Sequence, residues 1–124
     1  MTNANDNFDM NGAPLRIDTV RLKVRDLDAV SDFYRRILGS TVLAKENSGV
    51  TLGTDVAPLL KLDGDPALKP RDRRQAGLFH TAFLMPSRAD LGRWLAHVAE
   101  TRVPLQGASD HIVSEAIYLA DPEG

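Results

Sequence analysis

The sequence predicts an α+β protein built from two copies of one unit, a strand and a helix followed by three strands, with the last strand of the second copy missing. Three observations predict this fold. Apolar and polar residues alternate over residues 16–24, and an apolar stripe at helical spacing covers residues 27–38. Both patterns return 61 residues later along the chain. Such self-similarity at a fixed offset is typical of a repeated structural unit.

The first unit begins with a strand that has one buried face. Its apolar positions are Val20, Leu22 and Val24, and the opposite face carries Thr19, Arg21 and Lys23. Asp26 is placed to cap the following helix, and Gly39 is placed to end it. Three short strands are then predicted, at TVLAKE, GVTLGT and PLLKL, with a turn at Thr54 and Asp55 between the last two.

The second unit repeats this order. The segment GLFHTAFLM, residues 77–85, is predicted to be its first strand, and His80 falls at the position of Thr19. Ser87 takes the place of the helix cap, and the apolar stripe returns in register as Leu91, Trp94, Leu95 and Val98. Strands are predicted around PLQGA and IVSEAIYL, followed by the turn ADPEG.

The second unit lacks a strand that the first unit has. In the first unit PLLKL follows the turn, whereas nothing follows DPEG in the sequence. We therefore expect the 124 residues to be a truncated piece of a longer design, with an unpaired strand edge. The alternative is that a partner strand or a dimer covers the gap.

These patterns divide the chain into an arm and one module. Residues 1–14 form a polar arm without apolar periodicity, which we expect to be disordered, and residues 15–124 form the module. Within the module, the first unit covers about 15–64, a polar linker about 65–76, and the truncated second unit about 77–124.

Composition excludes several classes of protein. A hydrophobic fraction of 43% suits a globular core, and a net charge of −2 gives no basic surface for nucleic acid. The absence of cysteine excludes disulfides, zinc–thiolate sites and cysteine nucleophiles. No apolar run is long enough to span a membrane, and the N-terminal residues do not resemble a secretion signal. The expected location is the cytoplasm.

Three stretches carry a resemblance to a known superfamily. They are VRLKVRDLDAVSDFYRRILG, GLFHTAFLMPSRADL and GASDHIVSEAIYLADPEG. Together they resemble the vicinal oxygen chelate superfamily of glyoxalases, bleomycin-resistance proteins and extradiol dioxygenases. The last two stretches are most similar to the first module of bacterial catechol 2,3-dioxygenases. The resemblance implies paired βαβββ units that form an open β-barrel cup, with the helices outside.

The resemblance also implies a metal centre in the cup. In extradiol enzymes Fe(II), or sometimes Mn(II), sits on two histidines and one carboxylate. The first-strand ligand positions match Thr19 and His80, and the fourth-strand position of the first unit lies near Leu60 and Lys61. The fourth-strand glutamate of the second unit would lie beyond Gly124. His80 is therefore the metal-ligand candidate of this chain, which we do not expect to hold iron tightly alone. The alternative is a hydrogen-bonded histidine of the cup wall.

Other residues are candidates for contact with a substrate. Thr19, Arg21, Ala82 and Glu115 are predicted to line the cup. His111 and Tyr118 are catalytic candidates, with a turn role and a packing role as their respective structural alternatives.

Three functions remain open from the sequence. The first is a module of an extradiol ring-cleaving dioxygenase, inactive alone and completed by a second module or a homodimer, with a small catechol-like molecule as its partner. The second is a metal-free binding protein of the bleomycin-resistance kind. The third is a glyoxalase-like metal enzyme whose site is completed by a dimer.

Overall fold

The computed structural model describes residue 15 and residues 17–124, so the predicted arm at 1–14 lies outside the described residues. The helices and strands, in chain order, are β1 Val20–Val24, α1 Leu27–Leu38, β2 Thr41–Lys45, β3 Gly49–Gly53, β4 Pro58–Gly64, α2 Arg88–Thr101, β5 Leu105–Asp110 and β6 Glu115–Leu119. This order confirms the predicted α+β class with a repeated unit. The sheets are open, and no closed barrel forms in the described part of the chain.

The first unit forms a four-stranded sheet in the order β1-β4-β3-β2. β1 and β4 run parallel, with Val20 opposite Leu60 and Leu22 opposite Leu62, and the other neighbours are antiparallel. Alternation places one face of the sheet against α1. The other face carries polar and charged side chains and is called the open face below.

α1 forms where capping and apolar spacing agree. The Asp26 carboxylate accepts a hydrogen bond from the Ala29 backbone N–H at 2.9 Å. Gly39 ends the helix at a φ of 70°, a left-handed conformation that favours glycine. The stripe predicted from spacing is buried against the sheet at Val30, Phe33, Tyr34 and Ile37.

The second unit contains α2 and a two-stranded hairpin, β5–β6. The Ser87 hydroxyl caps α2 by accepting from the Asp90 N–H at 3.2 Å. Val98 is fully buried, but Leu91 and Trp94 are only half-buried and Leu95 is 36% exposed. The apolar stripe of α2 is therefore covered less completely than that of α1.

The prediction of a strand at residues 77–85 is wrong, because this segment joins no sheet among the described residues. Its burial nevertheless alternates as in a strand, with Thr81, Phe83 and Met85 half-buried and their neighbours exposed. A strand needs a hydrogen-bonded neighbour. In the first unit β4 is the hydrogen-bonded neighbour of β1. The described residues of the second unit contain no counterpart of β4.

The core lies in the first unit. The buried apolar residues among those described are Val24, Val30, Phe33, Tyr34, Ile37, Val50, Leu52, Leu60, Leu62 and Val98. Only the last of these comes from the second unit. Phe83, Trp94, Val103 and Leu119 pack against this cluster from the second unit while half-buried.

Several polar contacts join the second unit to α1 and to the residues that precede it. The Tyr34 hydroxyl donates to the Asp121 carboxylate at 3.0 Å. The Trp94 indole N–H donates to the Ile37 carbonyl at 2.8 Å. The Glu123 carboxylate accepts from the backbone N–H groups of Arg25 and Asp26, each at 2.8 Å. Both ends of α1 are thus tied to the second unit.

Within the described residues, no helix combines the length and the apolar character that crossing a membrane requires.

Candidate functional site

Three residues singled out from the sequence meet on the second unit. The rings of His80 and Tyr118 contact edge to face, with centroids 6.4 Å apart. The Nε2 atom of His111 lies 3.4 Å from the Tyr118 hydroxyl. Phe79 extends the group, because its ring packs against His80 with centroids 5.1 Å apart. We call His80, His111 and Tyr118 the His–Tyr cluster.

Local structure explains how the cluster assembles. Strands β5 and β6 are antiparallel, with Asp110 opposite Glu115 beside the connecting turn. His111 opens this turn and is held by a hydrogen bond from its N–H to the Ser114 carbonyl at 2.8 Å. Tyr118 then follows on β6, close enough for its hydroxyl to reach the imidazole of His111.

The His–Tyr cluster is exposed to solvent. His80 and His111 are exposed, Tyr118 is 37% exposed, and the neighbouring Phe79 is 88% exposed. An exposed group of aromatic edges and ring nitrogens can pack against a planar ring and exchange hydrogen bonds with its hydroxyl groups. The cluster therefore presents aromatic edges and hydrogen-bonding ring nitrogens to solvent side by side.

The open face of the first unit carries a different set of groups. Arg21 on β1 forms two hydrogen bonds to Asp63 on β4, at 2.5 and 3.1 Å. This contact holds the pKa of the Asp63 carboxyl below its usual value, and the nearby charges of Lys23 and Lys61 act in the same direction. Asp63 was not among the candidates predicted from the sequence, although the alternation of β4 places it on the same face as Lys61.

The remaining predicted cup residues have separate environments. The Thr19 hydroxyl lies 3.4 Å from the Asp18 carboxylate, and Ala82 is exposed. The Glu115 carboxylate accepts two hydrogen bonds from Arg88 on α2, at 2.6 and 3.1 Å. The hydrogen bonds of Thr19, Arg21 and Glu115 therefore connect them to groups outside the His–Tyr cluster, and their cup-lining roles stay predictions.

An open cleft of about 350 Å³ separates α2 from the hairpin. Arg88 and Glu115 form an ion pair at its edge. Its apolar lining comes from the half-buried side of α2 and from both strands of the hairpin, at Leu91, Leu95, Ala108 and Ile117.

The described residues do not fit the metal centre that the resemblance implies. Within residues 17–124 no three histidine, cysteine, aspartate or glutamate side chains come together as a metal site would require. His80 has aromatic neighbours, and Glu115 is engaged by Arg88. A two-histidine, one-carboxylate set is therefore not assembled from these residues, and no chemical step is derived through iron.

Comparison with known proteins places the chain in a family. The profile described as the glyoxalase/bleomycin resistance protein/dioxygenase superfamily matches residues 16–124. The chain belongs to this superfamily, as its repeated unit and open sheets indicate.

Two curated relatives and one solved structure illustrate the similarity. The chain is 38% identical over 110 residues to a catechol-2,3-dioxygenase of Bacillus subtilis, covering 87% of this chain and 38% of the relative. It is 33% identical over 110 residues to biphenyl-2,3-diol 1,2-dioxygenase 3 of Rhodococcus globerulus, covering 83% of this chain and 56% of the relative. A lactoylglutathione lyase from Agrobacterium tumefaciens shares the fold, with a TM-score of 0.70, 22% identity and coverage of 90% of this chain and 89% of that one. The chain thus spans about two fifths and somewhat over half of the lengths of the two curated relatives.

Proposed function

We propose that this chain is a module of an extradiol ring-cleaving dioxygenase-like protein and is not catalytic alone. The observation that carries the proposal is the 38% identity to a catechol-2,3-dioxygenase over 110 residues. Both curated relatives are named for vicinal aromatic diols. The proposed ligand class is accordingly a small catechol-like molecule.

The His–Tyr cluster supports this ligand class. The edges of Tyr118 and Phe79 provide apolar contact for a planar ring. The imidazoles of His80 and His111 can donate or accept hydrogen bonds, which suits two adjacent hydroxyl groups. Their exposure leaves room for a ligand to approach.

The proposed cofactor, Fe(II) or Mn(II), belongs to the full-length protein. It would supply the open coordination positions at which a catecholate and dioxygen meet. His80 matches a ligand position in the sequence, but its neighbours here are the rings of Phe79 and Tyr118, so we place the metal centre in a second module. In this proposal the chain itself contributes the His–Tyr cluster, which positions the aromatic ring of the ligand.

A comparison of the chain with the natural protein tests the proposal. The 124-residue chain supplied with Fe(II) is expected not to cleave catechol, whereas the protein isolated from its source cells cleaves it. The intact mass of that protein shows whether a second module is present. Ring cleavage by the chain alone would place the catalytic centre within these residues and overturn the proposal.

A binding measurement tests whether the His–Tyr cluster contacts the ligand. Catechol is expected to bind the isolated chain weakly, and Tyr118→Ala should reduce the affinity by roughly fivefold, because an aromatic pair contributes about 1 kcal/mol. Val56→Ala, in the exposed turn before β4, is the matched control. Equal affinities for the two variants would remove the His–Tyr cluster from the proposed site.

The exposed aromatic character of the cluster also favours the alternative of a metal-free binding protein. In that case the natural protein has the mass of this chain, and an aromatic ligand raises its melting temperature without any metal. The glyoxalase-like alternative requires a dimer that retains metal through gel filtration. Metal content and ligand-induced stabilisation therefore separate the three functions.

A further inference from the structure

The connection between the two units is long and lies open to solvent. Residues 65–87, between β4 and α2, contain no helix or strand, and residues 69–80 are exposed throughout. A local turn shapes the middle of the connection, where Asp72 accepts hydrogen bonds from the backbone N–H groups of Arg74 and Gln75 at 2.9 and 3.0 Å. This part of the backbone can therefore change its conformation without breaking a sheet or a helix.

Two pairs of adjacent arginines occur in the sequence, and they lie on different kinds of backbone. Arg35 and Arg36 belong to the last turn of α1, whereas Arg73 and Arg74 belong to the connection. All four residues are exposed. Exposed loops are the preferred sites of proteolytic nicking, whereas a bond inside a helix becomes accessible only when the helix opens. The same dipeptide is therefore open to cleavage in the connection and protected in α1.

Contacts outside the connection also join the two units. The first unit has its own four-stranded sheet, and Val98 of the second unit is buried within the same apolar core. Hydrogen bonds from Tyr34 to Asp121 and from Trp94 to the Ile37 carbonyl cross the boundary between the units. These contacts come from the two helices and from the turn after β6. A break in the connection therefore leaves them in place.

We propose that Arg73 and Arg74 form a cleavage site for an arginine-specific endoprotease of the trypsin class. The net step is hydrolysis, in which one water is consumed and the C–N bond after Arg73 or Arg74 breaks. A carboxylate then ends the first fragment, and a free amino group begins the second. In the resulting two-chain protein the association of the units depends on concentration. The proposal needs neither a metal nor an aromatic diol, so it stands independently of the proposed function.

Limited digestion of the folded 124-residue chain with dilute trypsin tests the proposal. Mass spectrometry identifies the cuts in their order of appearance. Within residues 17–124, the first cut is expected after Arg73 or Arg74, before any cut in α1 or in the strands. The two fragments are expected to elute together in native gel filtration and to separate in urea, because the contacts between the units do not use the connection.

Two double variants localise the cut. Arg73→Gln combined with Arg74→Gln should slow cleavage within residues 17–124 by roughly tenfold or more, because the specificity pocket of trypsin requires a basic side chain. Arg35→Gln combined with Arg36→Gln removes the other arginine pair and is the matched control. It should leave the rate within about twofold, since the bonds of α1 are cleaved only in its opened state. Circular dichroism establishes that each variant is folded before digestion.

Three outcomes would overturn the proposal. The first is an initial cut elsewhere within residues 17–124. The second is an equal rate of cleavage in the wild type and in the variant that lacks Arg73 and Arg74. The third is separation of the two fragments in native buffer, which would mean that the connection itself holds the units together.

Discussion

At the residue scale, one backbone conformation is unfavourable for the side chain that adopts it. Ile112, in the turn between β5 and β6, has a φ of 72° and is 98% exposed. A β-branched residue is rarely found in the left-handed region, where its Cβ crowds the backbone. Exposure means that the side chain gains little from burial in return. The turn that positions His111 is therefore strained at its second residue.

Replacement of this residue should stabilise the hairpin. Ile112→Asn is expected to increase the free energy of unfolding by about 1 kcal/mol, because asparagine adopts the left-handed conformation more readily. Urea denaturation measures the change. Val113→Asn, at the equally exposed neighbour, is the control and should change stability by less than about 0.5 kcal/mol. A loss of stability in Ile112→Asn would show that this turn is not strained.

A second residue-scale feature is the buried phenol of Tyr34. Burial raises the pKa of Tyr34 above its ordinary value of 10.0, and the charge and hydrogen bond of Asp121 act in the same direction. The phenol is neutral when protonated, so the folded protein retains this proton more strongly than the unfolded chain does. Its contribution to stability is complete below the unfolded-state pKa and is lost as pH rises toward the folded-state pKa.

Alkaline unfolding should reveal this group. Between about pH 8 and about pH 11 the wild type is expected to lose more stability than Tyr34→Phe, which has no phenol to ionise. Urea denaturation at both pH values gives the comparison. An equal loss in the two proteins would mean that Tyr34 ionises equally in the folded and unfolded states.

At the scale of the elements, α2 supplies hydrogen-bond donors to the end of α1. The last carbonyls of a helix have no partner within the helix. Here the Trp94 indole reaches the Ile37 carbonyl, and the Nε2 atom of His97 lies 2.6 Å from the Arg36 carbonyl. The sequence predicted the stripe to which Trp94 belongs. It did not predict these bonds, because they depend on how the two helices meet.

Two substitutions separate packing from hydrogen bonding at this contact. Trp94→Ala is expected to destabilise the protein by about 3 kcal/mol, the lower end of the usual range for a large aromatic, because Trp94 is only half-buried. Trp94→Phe keeps most of the packing and should cost about 1 kcal/mol for the lost hydrogen bond. Chemical denaturation measures both. If Trp94→Ala behaves like the wild type, the helix stripe does not belong to the core.

Periodicity predicted the helices and most strands but failed at residues 77–85. Local spacing and caps decide a helix, so α1 and α2 follow directly from Asp26, Ser87 and the apolar stripes. A strand also depends on its neighbour, and the alternation of residues 77–85 cannot supply one. For the same reason the meeting of His80 with Tyr118 could not be predicted, since it depends on where the hairpin lies.

At the scale of the whole molecule, the turn after β6 holds the two units together. Asp121 binds the Tyr34 hydroxyl, and Glu123 accepts backbone N–H groups at the start of α1. An anionic acceptor is favourable there, because the N-terminus of a helix carries partial positive charge. These contacts join residues nearly a hundred positions apart, which is why spacing along the sequence did not indicate them.

Loss of the Glu123 carboxylate should loosen the second unit from the first. Glu123→Ala is expected to reduce stability by about 1–2 kcal/mol. Glu123→Gln should cost less, since an amide oxygen can still accept from both backbone N–H groups and only the negative charge is lost. Hydrogen exchange should accelerate at the start of α1 in the alanine variant. Wild-type exchange rates at these amides would contradict the proposed attachment.

The uneven distribution of the core has a consequence for how the polypeptide is made. Among the residues that the structure describes, nine of the ten buried apolar ones lie between Val24 and Leu62, and the sheet of the first unit is complete once β4 has formed, which ends at Gly64. On a translating ribosome, this half can complete its own core before the second unit has emerged. The nascent first unit then offers a preformed surface, at Tyr34 and the two ends of α1, onto which the later residues assemble.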